Sequence, residues 1–318
     1  MTVASQREVF GRTLVELAAE DERVVVLDGD LANSTRADLF AEAYPDRFLA
    51  MGIAEQNMAG VAAGLATLGF VPWVSTFAAF AVKRDLDQVR VVIAQPSLNV
   101  KICGAYSGLL TGFTGKTHQS VEDIAVMRAM PNMVVLAPAD GIETRAAVRA
   151  ATAYDGPVYI RLGRDAGPQV VDDAYRFEIG RGVVLREGAD VAIVSTGVHT
   201  SRAVEACDLL AAGGVRAHHL HLPTIKPLDE DAIGVAAERT DAVLITEEHT
   251  VIGGLGAAVA ETLGQRRPTL LRLHGIADVF GESGPNDAIL EKYHLTARHI
   301  ADEARALLQT RDALRSRR

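Results

Sequence analysis

Short apolar runs alternate with stretches of helical period along most of this chain. Residues 24–28, 70–74, 97–104, 131–138 and 157–162 are brief, largely apolar and bounded by turn-forming residues, the pattern of strands buried on both faces of a parallel sheet. Helices are predicted between them: over 5–20, where Val9, Leu14, Leu17 and Ala18 line one face, from Glu55 onward, and over 85–94, 121–130 and 141–153. From 166 to 188 the texture changes to Gly167-Pro168, Asp172-Asp173 and Ile179-Gly180-Arg181-Gly182, which read as a connection. A second alternating set follows, with strands over 191–195, 215–222, 242–246 and 268–273 and helices over 200–212, 229–238 and 253–264. The expected fold is α/β: two doubly wound, mostly parallel-sheet domains at 1–165 and 189–318, joined by a linker at 166–188.

One helix departs from the ordinary amphipathic pattern. It opens with Gly52-Ile53-Ala54-Glu55-Gln56-Asn57-Met58 and continues through Ala59, Gly60, Ala62, Ala63, Gly64 and Ala66. These small residues give it a smooth surface on more than one side, which predicts burial against other backbone. Glu55 enters the interior at its start, where a lone carboxylate is costly, so it must be paired, protonated or in use. The plainer reading is a first-turn acid favoured by the helix dipole. Downstream, Phe77 and Phe80 share a face at i and i+3, a pairing that by itself more often belongs to the core.

Composition narrows the class. A chain of 318 residues suggests about two domains, and nearly half the residues are apolar. The formal net charge of −9 argues against nonspecific nucleic-acid or anionic-membrane binding. Cys103 and Cys207 provide no disulfide framework and fit a reducing compartment. Neither a basic, apolar signal peptide nor a run long enough to span a membrane is evident, so a cytoplasmic protein is expected.

Other candidate positions keep two readings each. Asp28-Gly29-Asp30-Leu31-Ala32-Asn33-Ser34 follows an apolar strand and marks either the carboxyl lip of a sheet, where open α/β folds place ligands, or a plain Asp-Gly turn. The glycine-dense loop from Gly104 to Gly115 leads into Thr117-His118-Gln119. His118 is suited to donate to an oxyanion or relay a proton, or simply to cap the next helix. Arg164, in Gly163-Arg164-Asp165, is a strand-end cation. Strand alternation sends His219 and His221 to one face and His218 to the other; with no acid or Cys beside them, packing or surface use is favoured over metal ligation.

Taken in order, Gly52-Ile53-Ala54-Glu55-Gln56, Thr76-Phe77-Ala78-Ala79-Phe80, Thr117-His118-Gln119 and Glu247-Glu248-His249 with Gly253-Gly254-Leu255-Gly256 resemble the pyrimidine-binding and C-terminal domains of the transketolase family of thiamine-diphosphate enzymes. The likeness extends over about residues 5–305. It implies that Glu55 hydrogen-bonds N1′ of the cofactor's aminopyrimidine, that Phe77 stacks on that ring and that Phe80 helps form its pocket. It adds Asp30 to the cofactor-binding positions. It also implies that His118 touches the donor sugar, and that Arg7, Ser34 and Arg164 bind the substrate's phosphate or another terminal anion.

The departures from the family pattern carry equal weight. Lys83 stands where an aromatic is frequent, Thr114 where an Asp holds a donor hydroxyl, and Gly104-Ala105-Tyr106-Ser107 where a phosphate-binding His is frequent. The Gly-Asp-Gly and Asn-Asn pair through which such enzymes hold the diphosphate and Mg²⁺ is missing, as is a Gly-x-x-x-x-Gly-Lys loop. The resemblance is therefore to the small subunit of a split transketolase. This implies a separate chain supplying the diphosphate and Mg²⁺ site, an α2β2 assembly, no metal ligands on this chain, and transfer of a two-carbon ketol unit from a ketose, expected to be a phosphate, to an aldose. The rivals are a 2-oxo acid dehydrogenase β subunit, a deoxyxylulose-phosphate-synthase-like enzyme and a non-catalytic paralogue. Thr117-His118-Gln119 with Pro138-Ala139-Asp140 favours the sugar-transferring branch.

Overall fold

The computed structural model describes residues 3–317. The strands, in chain order, are β1 (Val3–Ser5), β2 (Val24–Asp28), β3 (Phe48–Ala50), β4 (Val71–Phe77), β5 (Lys101–Ala105), β6 (Val134–Leu136), β7 (Val158–Arg161), β8 (Ala166–Pro168), β9 (Val183–Arg186), β10 (Val191–Ser195), β11 (Ala217–His221), β12 (Thr224–Lys226), β13 (Ala242–Thr250) and β14 (Leu270–Ile276). The first sheet has the order β12-β6-β7-β5-β4-β2-β3, parallel except for β12. Strands β2, β4 and β5 are buried at every position, as their unbroken runs predict.

Helices Gln6–Glu20 and Gly141–Ala153 cover one face of this sheet with a core that includes Phe10, Leu14, Trp73, Leu136 and Val148. The other face carries helix Glu55–Thr67, a π-helical turn at Val89–Ala94 and helix Asp123–Arg128, packed around Met58, Ala62, Ile93 and Met127. The same apolar cluster continues into the second unit through Val194, Leu222 and Ile225. That unit is a sheet of order β14-β13-β10-β11-β9, parallel except for the edge strand β9. Helices Thr200–Ala212 and Ala297–Arg315 lie on one of its faces, and Glu230–Thr240 and Leu255–Arg266 on the other. Among the described residues no helix is long and apolar enough to cross a membrane.

Several expectations need correction. The 166–188 stretch holds β8, antiparallel to β1, and β9, antiparallel to β11; both are short backbone pairings without an apolar signature. The 85–94 helix is a single turn, Leu86–Gln88, that widens into the π-helical turn, where the Gln95 amide donates to Arg90 O. β-branched Val89, Val91, Val92 and Ile93 crowd an ordinary helix. The helix from Glu55 is buried on one side only. Gln56, Asn57, Gly60 and Gly64 are exposed, and Ile53 at its entrance is 72 % exposed.

An acid does stand beside the clustered histidines, brought from the other unit. His221 Nε2 lies 2.7 Å from Glu143 Oε2 with both side chains fully buried, and a chain of hydrogen bonds runs on through Thr200 and Ser195 to His219. His218 faces the opposite way, 3.5 Å from Glu187. Burial alone would raise the Glu143 carboxyl, but His221, Tyr175 and the Ala139 amide outweigh it and hold the group below its ordinary range.

Breaking this buried pair by His221→Ala is expected to cost roughly 3–5 kcal/mol in urea denaturation. The Glu143 contribution is complete above the unfolded carboxyl value of about 4.3 and is lost as the pH falls through the lower folded value. Glu143→Gln should therefore show a shallower acid loss of stability than the native chain. Equal acid slopes would refute the account.

Candidate active site

Burial and pairing converge at the carboxyl ends of β2, β4 and β5. Glu55 opens its helix and is 3 % exposed. Its Oε1 accepts from Arg84 Nη1 at 2.7 Å, and the Arg84 guanidinium carbon lies 3.7 Å from the centroid of the Phe80 ring. The carboxylate is thus paired, by a residue that the sequence pattern did not single out. Arg84 is itself 44 % exposed, so the pair sits at the rim and not in the core.

Phe77 and Phe80 lie side by side with ring centroids 5.7 Å apart, but they differ in access. Phe77 is buried, and Tyr106 stacks on it at 4.1 Å between centroids and 19° between planes. Phe80 is half-buried and carries the Arg84 guanidinium on its ring. Both rings are therefore partnered, Phe77 by Tyr106 and Phe80 by Arg84, and Phe80 is the more exposed of the two. His118 approaches both edge-on, 5.9 Å from Phe77 and 5.5 Å from Phe80. Its Nδ1 faces Thr117 Oγ1 at 2.9 Å.

Tyr106 joins this aromatic row to a cationic cluster. Arg7 Nη1 donates to the Tyr106 hydroxyl at 3.0 Å and to Ser34 O at 2.8 Å. The Arg164 guanidinium lies 5.5 Å from the centroid of the Tyr106 ring and donates to Asp165 at 2.9 Å, and the neighbouring Tyr106 and Asp165 side chains hold Arg164 charged. Buried Gln6 fixes this arrangement, donating to Pro138 O and accepting from the Gly163 amide. Arg7, Ser34 and Arg164 are therefore brought together, although Arg7 meets the Ser34 carbonyl and the hydroxyl turns to Asn33. Tyr106 has φ 57°, a backbone conformation unusual for a bulky residue. No apolar period signals it.

Asp30 is exposed on the same lip with φ 66°. Beneath it Asp28 accepts from the Leu31 amide, and burial followed by the Asp30 charge raises its carboxyl to about 6. Lys83 pairs with Glu122 and so does not substitute for an aromatic. Asp85 is fully buried, neither of its oxygens has a partner among the described residues, and burial lifts its carboxyl to about 8, with Glu55 adding to the shift.

The second unit seats the loop that carries His118. Glu248 Oε1 accepts from the Leu109 and Leu110 amides at 2.8 and 3.2 Å. A Cβ at Gly108, whose φ is +76°, would come within 2.3 Å of that oxygen, so only glycine allows the approach. Arg161 donates to Glu248 O and pairs with Asp123, which also accepts from Tyr159. Glu247 meanwhile caps helix Leu255–Arg266 through the Leu255 and Gly256 amides. The Glu247-Glu248-His249 stretch thus joins the two units: His249 Nε2 is 3.3 Å from the Ala125 amide.

Asp85 keeps its proton up to about pH 8 when folded and releases it near 3.9 when unfolded. It therefore lowers stability as the pH rises through that window. Asp85→Asn should leave stability near pH 4 almost unchanged and raise it progressively up to pH 9 relative to the native chain, by at most about 6 kcal/mol. A pH-independent difference in chemical denaturation would contradict this.

Residues 3–169 match the family model "Transketolase, pyrimidine binding domain", and residues 180–300 match "Transketolase, C-terminal domain". The 6-deoxy-6-sulfo-D-fructose transketolase subunit SqwH of a Clostridium species is 41 % identical over 96 % of this chain and 95 % of its own length. A subunit of the apulose-4-phosphate transketolase of Phocaeicola vulgatus is 39 % identical over 94 % of this chain and 96 % of its own length. A solved structure described as "Split gene transketolase, inactive beta4 tetramer" superposes with a TM-score of 0.90 at 48 % identity, covering 96 % of this chain and 98 % of that one.

Proposed function

The chain belongs to the transketolase family, and from that premise we propose that it is the small subunit of a two-chain, thiamine-diphosphate-dependent transketolase. The observation that carries the reading is the buried Glu55 carboxylate at the rim of an aromatic face, with an in-plane N–H donor on it and a flat cation over Phe80. An aminopyrimidine takes partners at the same two places, a carboxyl group that shares a proton with its ring nitrogen and an aromatic face for its plane. When bound, thiamine diphosphate supplies the electron sink that lets a ketose lose its first two carbons to an aldose. Glu55 would hold N1′, Phe80 would take the stacking face, and Phe77 with Tyr106 would form the wall behind it. Asp30 would border the cofactor from the β2 lip.

His118, edge-on to both rings, is positioned to donate to the substrate oxygen on which charge develops. Arg7, Arg164 and the Tyr106 hydroxyl form a polar end suited to a terminal anion, with Ser34 beside them. The donor is thus read as a ketose ending in phosphate or another acid, in keeping with relatives named for a sulfonated ketose and for apulose 4-phosphate. A separate subunit would hold the diphosphate through Mg²⁺, since this chain lacks the motif for it, and an α2β2 assembly in the cytoplasm is the expected form.

The test is reconstitution. The chain is co-expressed with the adjoining open reading frame, supplied with thiamine diphosphate and Mg²⁺, and assayed with xylulose 5-phosphate and ribose 5-phosphate or their sulfonated counterparts. Ketol transfer that needs both chains is expected, and Glu55→Ala in the complex should lower kcat by at least about 10²-fold. Turnover by this chain alone would defeat the two-subunit reading. Decarboxylation of a 2-oxo acid without an aldose acceptor would place the enzyme in another branch.

A further inference from the structure

Arg84 meets both partners that the proposed reading gives to the aminopyrimidine. Its Nη1 donates to Glu55 Oε1 at 2.7 Å, and its guanidinium carbon stands 3.7 Å over the Phe80 ring. A guanidinium is planar and delocalised and carries its N–H donors in its own plane. It can therefore hydrogen-bond a carboxylate edge-on while lying on an aromatic face. An ion pair alone would need only the first contact.

We propose that Arg84 is an internal occupant of the pyrimidine pocket in the cofactor-free chain, and that thiamine diphosphate binds by displacing it. The inference rests on the proposed roles of Glu55 and Phe80. The surroundings allow the exchange. Arg84 is 44 % exposed, so its side chain has solvent to swing into. The residues on either side are anchored, Lys83 by its pair with Glu122 and Asp85 by complete burial, so the movement is confined to one side chain. While the pocket holds no cofactor, Arg84 keeps a carboxylate that is 3 % exposed from standing unpaired. As the guanidinium leaves, Glu55 takes up a proton from solvent and shares it with N1′, so the carboxyl exchanges one planar partner for another.

An internal occupant raises the apparent dissociation constant by the inverse of the fraction of chains whose pocket is open. Removing the guanidinium should therefore tighten cofactor binding while it destabilises the cofactor-free protein. The experiment is isothermal titration of thiamine diphosphate, at saturating Mg²⁺, into the reconstituted complex carrying native Arg84, Arg84→Lys or Arg84→Met. Thermal melting of each cofactor-free chain is measured in parallel.

The expected result is an affinity gain of about tenfold for Arg84→Met, with a lower melting temperature for that chain. Arg84→Lys, which keeps the charge but loses the plane, should fall between. Addition of millimolar guanidinium ion should weaken binding to Arg84→Met and leave the native complex unaffected. Native complex that binds the cofactor while Arg84→Met and Arg84→Lys bind equally well or more weakly would overturn the displacement and leave the functional reading standing. Failure of all three forms to bind the cofactor would overturn both.

Discussion

A carboxylate taken out of water has to be answered by a partner, and the candidate site is arranged around that requirement at Glu55. The small residues that follow it let the helix Glu55–Thr67 pack closely on β4, which carries the acid inward. Nothing in the apolar core can satisfy it, so its partner comes from the rim, as Arg84 lying on Phe80. From that point the site extends as a row. Phe80 meets Phe77, Phe77 meets Tyr106, and Tyr106 meets the two arginines, Arg7 and Arg164. A cation thus stands at each end of an aromatic row.

The two units hold this row in shape jointly. His118 sits on a loop of the first unit, yet the Leu109 and Leu110 amides of that loop are fixed by Glu248 of the second. Arg161 ties Glu248 back to Asp123, and the Glu143–His221 contact closes the other side of the same junction. These polar groups are buried and interlocked, so losing one partner leaves another charge exposed to a low-dielectric interior. Through Glu248 the second unit supports the loop that carries His118.

Much of this was legible in the chain because apolar periodicity is a local property. The continuous runs of β2, β4, β5, β10 and β13 mark themselves, and Glu55 is conspicuous among alanines and glycines. What escaped was what distance in sequence conceals. Glu143 and His221 are far apart along the chain, and a pairing across that separation has no local trace. Arg84 follows a lysine in an ordinary charged turn, and Tyr106 owes its position to a backbone angle. Strands β8, β9 and β12 are brief pairings of main-chain groups, which composition does not encode. Which of Phe77 and Phe80 is the more exposed is likewise a matter of packing alone.

Strand β12 gives the chain an order of assembly. It belongs by sequence to the second unit, yet it pairs with β6 and forms the outermost strand of the first sheet. While the ribosome is still making residues 170–220, that sheet has an open edge with unpaired amides and carbonyls along β6, the kind of edge on which other chains add strands. The apolar face shared with Leu222 and Ile225 is bare for the same interval. The edge of the first sheet is therefore completed only by residues 224–226, from beyond the first unit in sequence.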